Sequence, residues 1–492
     1  MRTYICLSIA AKNIKELINI AHETEKFIDL FEIRLDYLEN KNEIFDVRLP
    51  CRTIYTFRPK RQGGLFTGDE NDRLNLLLKI ARTFHNSFID LEYDVPNEIF
   101  YEINKSCSTI CSYHEFTEEW NMNDIVKALD RPAEMFKIAL MANSTEKIFR
   151  CIDILNSLRN QRKNLNLIVM GSQGQWFRIV AFFLKLPWTY ICYSPQLQTA
   201  AGQLSFNQAI KIYRLNEMDM SYSVFGIIGK PLSHSISPVI HNIAFKELSY
   251  KAIYVPFEID NVELFMNKIN KIIQLRGLSI TIPFKQSILS LIDQVDENAI
   301  KIGSVNTLKY KESKWIGFNT DWIGFINPLL KVCNPANRKV LVLGAGGAAS
   351  AIIYALKKFG AKVALANRNN IKALELTKRF YIDFVLWDER HNYTYDILIN
   401  ATPVGMYPNI YSKPIKLESV DGKIIYDLIY NPLETELLKE AKQKGAVTIN
   451  GLEMFIEQAI EQIKIWTGRF PPKNMIREVA NAYLQDIFFY PF

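Results

Sequence analysis

Short β-rich runs alternate with helical patterns over the first 215 residues, and a glycine turn stands between an apolar strand and an apolar helix near residue 345. Together they predict an α/β protein: an N-terminal (β/α)8 TIM-type barrel, then a two-lobed α/β region with a Rossmann dinucleotide lobe. At 492 residues, two or three domains are expected rather than one core. The composition, 48% hydrophobic and 23% charged, is that of an ordinary globular chain. A net charge of +7 without a long basic block suits small anionic ligands and argues against nucleic acid as a partner. Seven scattered cysteines without a C-x-x-C read as free thiols in a reducing, cytoplasmic setting, and no metal site is expected. Met1–Ala10 reads as a strand rather than a signal peptide, and no apolar run reaches the roughly 18 residues that a membrane span needs.

Eight runs supply the barrel strands: Tyr4–Ala10, Ile28–Leu35, Cys51–Phe57, Phe88–Glu92, Thr109–Tyr113, Met135–Met141, Leu167–Gly171 and Thr189–Tyr193. Their alternation with helical patterns indicates a parallel sheet, and eight such units in about 215 residues fit a closed barrel. A doubly wound open sheet is the competing arrangement. Polar residues gather near the carboxyl ends of these runs, where barrel enzymes build their sites: Glu32, Arg34, Asp36, Arg58, Glu92, His114 and Lys137. Arg178 follows the seventh run and Gln203 the eighth. Each alone reads equally as a surface charge or a cap; their shared register on one rim argues for a site.

Lys137 interrupts Glu-Met-Phe-Lys-Ile-Ala-Leu-Met, where a strand buried on both faces should be apolar throughout. The bland reading is a stem lying along the core with its head in solvent. The chemical reading is a desolvated lysine whose free amine attacks a carbonyl to form an imine. His114 is then available as proton shuttle, and the arginines as partners for a carboxylate. This chemistry describes an imine-forming lyase or aldolase acting on an anionic keto acid.

The motifs Glu32-Ile-Arg34-Leu-Asp36, Thr56-Phe-Arg58, Ser112-Tyr-His114, Phe136-Lys137-Ile-Ala, Met170-Gly with Arg178, and Gly202-Gln203 occur in order over residues 1–215. In these the chain resembles type I 3-dehydroquinate dehydratases. The resemblance implies Lys137 as Schiff-base lysine, His114 as general acid/base, and Glu32, Arg34, Arg58, Arg178, Thr199 and Gln203 as substrate ligands. Two departures stand out. The family's Arg-x-x-x-Glu-Gly-Gly appears as Arg58-Pro-Lys-Arg-Gln62-Gly63-Gly64, so the carboxylate that partners the histidine is an amide here. Lower basicity of His114, slower turnover or a shifted pH optimum are expected. The family's Ser-x-Pro-Gly-Gln loop appears as Thr199-Ala-Ala-Gly202-Gln203, which keeps the hydroxyl and loses the stiffening proline.

A polar stretch at Asn216–Ser221 separates the barrel from a fresh strand at Tyr222–Gly229. Ser235 and Ser237 then precede a helix; they read as caps, or as donors aimed at an anion. Gly277-Leu-Ser-Ile-Thr281-Ile-Pro-Phe-Lys285 is a strand ending near a lysine, and Asn306 and Asp321 sit at later strand ends. A lysine and an aspartate in a cleft can share the proton that an alcohol releases as its hydride leaves; the same two residues could also be a weak surface ion pair. Downstream, Val340-Leu-Val-Leu-Gly344-Ala345-Gly346-Gly347-Ala348-Ala349 runs into a helix, which is the setting a pyrophosphate-binding turn requires. The next strand ends at Asn367-Arg368 with no acid to hold a 2′-hydroxyl, so an arginine stands ready for a 2′-phosphate and NADP is favoured over NAD.

Over residues 222–490 these motifs, with Asn400-Ala-Thr402-Pro-Val-Gly405-Met, Asp427-Leu-Ile-Tyr430-Asn-Pro and Gly451-Leu-Glu-Met-Phe-Ile-Glu-Gln458, resemble shikimate dehydrogenases. The resemblance implies Lys285 and Asp321 as the catalytic pair, and Ser235, Ser237, Thr281, Asn306, Tyr430 and Gln458 around the substrate. It also implies Gly344, Ala345, Gly346, Gly347, Ala348, Asn367, Arg368, Thr402 and Gly451 around NADP. Ser279 departs from the usual Asn, and Asn369 from the usual Thr. The expected domains are a barrel at 1–215, a substrate lobe at 222–325 plus 452–492, and a dinucleotide lobe at 326–451. The two resemblances imply successive steps of the shikimate route on one chain. A reductase whose barrel is an impaired binding module is the alternative.

Overall fold

A computed structural model describes residues 2–159, 164–233 and 235–489. The chain forms two compact units, one of residues up to 222 together with 255–274, the other of 223–254 and 275–489. No helix among the described residues is long and apolar enough to cross a membrane.

In the first unit the eight expected strands all form: β1 (Tyr4–Ile9), β2 (Leu30–Arg34), β3 (Arg52–Thr56), β4 (Phe88–Glu92), β5 (Ser108–Glu115), β6 (Met135–Met141), β7 (Leu165–Met170) and β8 (Trp188–Cys192). A two-residue strand β9 (Leu204–Ser205) joins the end of a wholly parallel sheet in the order β7-β6-β5-β4-β3-β2-β1-β8-β9. This is the strand order of a barrel, although no ladder joins β7 to β8 among the described residues. Instead the Asn166 amide of β7 reaches across, donating to the Trp188 carbonyl at 2.9 Å and accepting from its indole nitrogen at 3.0 Å. An apolar layer of Cys6, Leu30, Ile54, Phe88, Ile110 and Trp188 fills the amino-terminal end of the interior. Alternate residues of a strand share a face, so Asp90 with Glu92, Ser112 with His114, and Lys137 with Ala139 stand in pairs along their strands.

Two six-stranded sheets follow in the chain. The first is mixed, in the order β11-β10-β12-β14-β15-β13, with β10 (Ser223–Gly229), β11 (Ala252–Glu258), β12 (Leu275–Ile280), β13 (Gln294–Val295), β14 (Thr307–Lys311) and β15 (Lys314–Phe318). The second is parallel throughout, in the order β18-β17-β16-β19-β20-β21. Its strands are β16 (Lys339–Leu343), β17 (Lys362–Ala366), β18 (Asp383–Val385), β19 (Ile397–Asn400), β20 (Ile424–Asp427) and β21 (Val447–Ile449). Strand order reverses between β16 and β19, the crevice where open α/β sheets bind ligands. The helix Gly451–Thr467 carries Leu452, Ile456 and Ile463 at helical spacing into a core with Phe225, Ile240 and Tyr254, so it packs on the mixed sheet.

Two candidate active sites

Inside the barrel lies a cavity of about 270 Å³. Lys137 projects into it from β6 and is only 3% exposed, so its head does not reach bulk solvent. Its Nζ bonds Asp90 of β4 and lies 3.6 Å from Glu32 Oε1. The sequence predicts a desolvated lysine; the structure supplies it with carboxylate neighbours. Asp90 also takes Arg58 at 2.7 Å, and Arg58 continues to Glu92 at 2.8 Å and to Ser112 Oγ at 2.6 Å. Burial works to raise the Asp90 pKa, but Arg58 and Lys137 outweigh it and hold the group well below the usual carboxylate range. Glu32 accepts from Ser8 Oγ at 2.6 Å and Thr56 Oγ1 at 3.0 Å, which fixes both of its oxygens.

His114 borders the same cavity, and the substituted Gln62 is its partner. Gln62 Oε1 accepts from the His114 backbone N–H at 3.0 Å and lies 3.2 Å from ring Nδ1. An amide oxygen only accepts, so Nδ1 carries the proton and Nε2 keeps its lone pair. Burial, then the Arg58 and Lys137 cations, push the His114 pKa well below its ordinary value. The ring is therefore neutral at pH 7, ready to act as a base.

The remaining predicted ligands line the cavity too, in different states. Arg34 is already clamped by Asp36 at 3.0 and 2.7 Å. The Gln203 amide holds its own loop, accepting from Thr199 N at 2.8 Å and donating to Thr199 Oγ1 at 3.1 Å. Arg178 differs from all of these. It is 3% exposed; among the described residues its Nε has no hydrogen-bond partner and its one side-chain hydrogen bond goes to the Ala201 carbonyl at 3.4 Å, and burial lowers its pKa to about 10. A buried cation without a counterion gains most from an incoming anion.

In the second unit two adjoining pockets of about 430 and 640 Å³ share Thr281, Lys285, Ala348 and Tyr430 among their walls. Lys285 stands at the junction and bonds Asp321, with the two side chains 18% and 7% exposed, so this is no surface ion pair. Asn306 donates to Asp321 Oδ1 at 2.7 Å and to Thr320 Oγ1 at 3.0 Å, and Asp321 opens the helix Asp321–Leu330. Ser235, Ser237 and Gln458 line the smaller pocket with Asn306 and Asp321. Gly451, expected beside the cofactor, borders this smaller pocket instead; a Cβ there would sit 2.0 Å from the Leu428 carbonyl.

The larger pocket is walled by the turn Gly344–Ala348, by Asn367 and Arg368, and by Thr402. Gly344 has φ +104°, and a Cβ there would meet the Ala401 carbonyl at 2.8 Å. A Cβ on Gly346 would meet nothing within 4 Å, so this turn presents bare backbone to the pocket at the start of the helix Gly347–Lys358. Asn400 Oδ1 accepts from the Thr402 N–H at 3.0 Å and hydroxyl at 2.7 Å and so holds that residue at the end of β19.

Three contributors escaped the sequence reading. Asp90 was legible by the rule that singled out Lys137, as a charge inside a doubly buried strand. Lys372 lies in the first turn of the helix Asn370–Phe380 and joins Arg368 at the larger pocket. Gln462, one turn past Gln458, carries no motif, and only its partners reveal it.

Comparison with known proteins finds relatives for both halves of the chain. Residues 5–220 match the type I 3-dehydroquinase family profile. Residues 227–308 match the shikimate dehydrogenase substrate binding domain, 330–407 shikimate/quinate 5-dehydrogenase, and 451–480 the shikimate 5′-dehydrogenase C-terminal domain. A shikimate dehydrogenase (NADP(+)) of Shouchella clausii is 42% identical over 53% of this chain and 98% of its own length. A solved chorismate mutase/shikimate 5-dehydrogenase fusion protein from Clostridium acetobutylicum is 36% identical, covers 55% of this chain and 100% of its own, and superposes with a TM-score of 0.50. The chloroplastic bifunctional enzyme of Arabidopsis thaliana is 33% identical over 97% of this chain and 84% of its own length. With both halves matched along nearly its whole length, the chain belongs to the bifunctional 3-dehydroquinate dehydratase/shikimate dehydrogenase family.

Proposed function

We propose that the barrel dehydrates 3-dehydroquinate to 3-dehydroshikimate and that the second unit reduces this product to shikimate with NADPH. The observation that carries the reading is the coexistence of two lysine–aspartate pairs, one buried and one part-buried, each in a pocket suited to one of the steps. In the barrel, Lys137 Nζ adds to the substrate ketone and water leaves, giving an iminium. That cation acidifies the adjacent C–H, and His114 Nε2 takes the proton. The β-hydroxyl departs as water with a proton returned by His114, and hydrolysis of the imine frees Lys137. The uncompensated Arg178 holds the substrate carboxylate, with Arg58, Glu32, Arg34, Thr199 and Gln203 around the ring. The impaired-module alternative loses support because Gln62 still bonds His114 and sets its tautomer.

In the second unit Ser235 and Ser237 receive the substrate carboxylate, and Thr281, Asn306, Tyr430 and Gln458 surround the ring. Lys285 and Asp321 pass the hydroxyl proton. The bare turn at Gly344–Ala348 fits a pyrophosphate and Arg368 with Lys372 a 2′-phosphate, with Asn367 and Thr402 beside them, so the residues present suit NADP. When bound, that cofactor supplies the hydride. The isolated thiols suit a reducing, cytoplasm-like compartment. A single mixture of pure protein, 3-dehydroquinate and NADPH tests both steps. Shikimate is the expected product; accumulation of 3-dehydroshikimate or an unchanged substrate would refute the second or the first assignment.

A further inference from the structure

Gln462 sits on the helix Gly451–Thr467, 2% exposed, among polar groups from three other elements. Its Nε2 donates to the Asn306 carbonyl at 3.2 Å and to Thr307 Oγ1 at 3.0 Å. Its Oε1 accepts from Ser279 Oγ at 2.9 Å and lies 3.2 Å from His241 Nε2. The hydroxyls on either side allow one orientation of this amide. Thr307 gives its proton to Asn306 Oδ1 at 2.8 Å, so it can only accept from Gln462. Ser279 accepts from the Tyr254 hydroxyl at 2.7 Å, so its own proton goes to Gln462. At the far side His241 Nδ1 lies 2.8 Å from the Ser237 carbonyl, which only accepts, so Nδ1 carries the ring proton. His241 is 0% exposed, stacks on Tyr254 at 4.1 Å, and burial lowers its pKa to about 4, so it is neutral at pH 7.

A buried network therefore runs from the serine turn through His241 and its stack on Tyr254, then through the Tyr254 and Ser279 hydroxyls and Gln462 to Asn306, and Asn306 holds Asp321. The unprotonated Nε2 of His241 only abuts Gln462 Oε1. We infer that Gln462 and His241 are positioning residues of the reductase half, which register the carboxylate-binding serine turn against the proton-transferring pair. The inference rests on the dehydrogenase reading given above. Gln462 reaches the wall of the smaller pocket with only 2% exposure, and His241 lies behind that wall. The His241 end sets where the carboxylate is held and so governs KM. The Asn306 end sets where Asp321 stands and so governs kcat.

The two ends are separable in the full-length enzyme. Gln462→Glu keeps an acceptor for Ser279 and loses both donors to the Asn306 side, so reductase kcat should fall about tenfold with KM for shikimate within about threefold. His241→Phe keeps the stack on Tyr254 and frees the Ser237 carbonyl, so KM for shikimate should rise about tenfold with kcat within about threefold. In both variants the dehydratase rate and KM for NADP+ should stay within about twofold, since those sites lie outside the network. Gln462→Met, which removes every polar contact, should show both defects together. Unchanged reductase constants in these variants would overturn the inference. So would parallel loss of both activities with a lowered Tm, the mark of a purely structural role. A wild-type enzyme unable to reduce 3-dehydroshikimate would instead overturn the functional reading itself, so the two failures are distinct.

Discussion

The two lysine sites have the same nearest partner and opposite surroundings. Lys137 bonds Asp90 inside a barrel, with Glu32 at 3.6 Å and Arg58 beyond, and is only 3% exposed. Lys285 bonds Asp321 at the meeting point of two pockets, held from behind by Asn306 and reached from both sides. Enclosure suits covalent chemistry, because an imine has to survive water until elimination is complete. An open junction suits proton transfer, because hydride donor and acceptor must enter from different sides. The same residue pair is thus steered to different chemistry by what surrounds it, not by the pair itself.

The sharpest way to break this comparison is Lys137→Ala. Dehydration should fall by roughly 10⁴-fold or more, the borohydride-trapped adduct with 3-dehydroquinate should vanish by mass, and reduction should persist. A retained adduct would move the imine to another lysine. Lys285→Ala should cut shikimate oxidation by roughly 10³-fold while NADPH still binds by fluorescence and dehydration continues. If turnover survives, Asp321 alone carries the proton and the symmetry between the sites fails.

Smaller effects sharpen the contrast. Arg368→Ala should raise KM for NADP+ by roughly 10- to 100-fold and leave KM for NAD+ nearly unchanged, because the lost charge-assisted bonds serve only the 2′-phosphate. Equal weakening of both cofactors would place Arg368 elsewhere. Gln62→Glu should have the smallest effect and a defined sign. Burial, Arg58 and Lys137 hold the wild-type His114 pKa below its ordinary value, so its base form persists to acidic pH. A carboxylate at position 62 favours the imidazolium, so the acid limb of dehydratase kcat/KM should move up by about one pH unit. A limb that stays in place would show that another group controls it.

Periodicity and residue type were enough to locate all eight barrel strands within two residues or so, because a doubly buried parallel strand is an apolar run whose ends are marked by turns. The same rule exposed Lys137, as a charge where none should be, and it exposes Asp90 equally well. The glycine turn was legible because its backbone conformation, φ +104° at Gly344, restricts the residue types that fit. Asn367-Arg368 at the end of β17 spoke for NADP through charge alone.

Tertiary structure decided the rest, and for one reason: each remaining feature depends on distances between residues far apart in sequence. It gave Lys137 two carboxylate neighbours from β2 and β4, which no local pattern encodes. It left Arg178 buried without a counterion while Arg34 was clamped, though both are arginines near strand ends. It bridged β7 and β8 through the side chain of Asn166 in place of a ladder. It also joined Gln462 to Ser279 and Asn306, across as many as 183 residues. Sequence sets which groups are present and which face each presents; only the packed chain sets which of them meet, and at a protein site the meeting distance decides the chemistry.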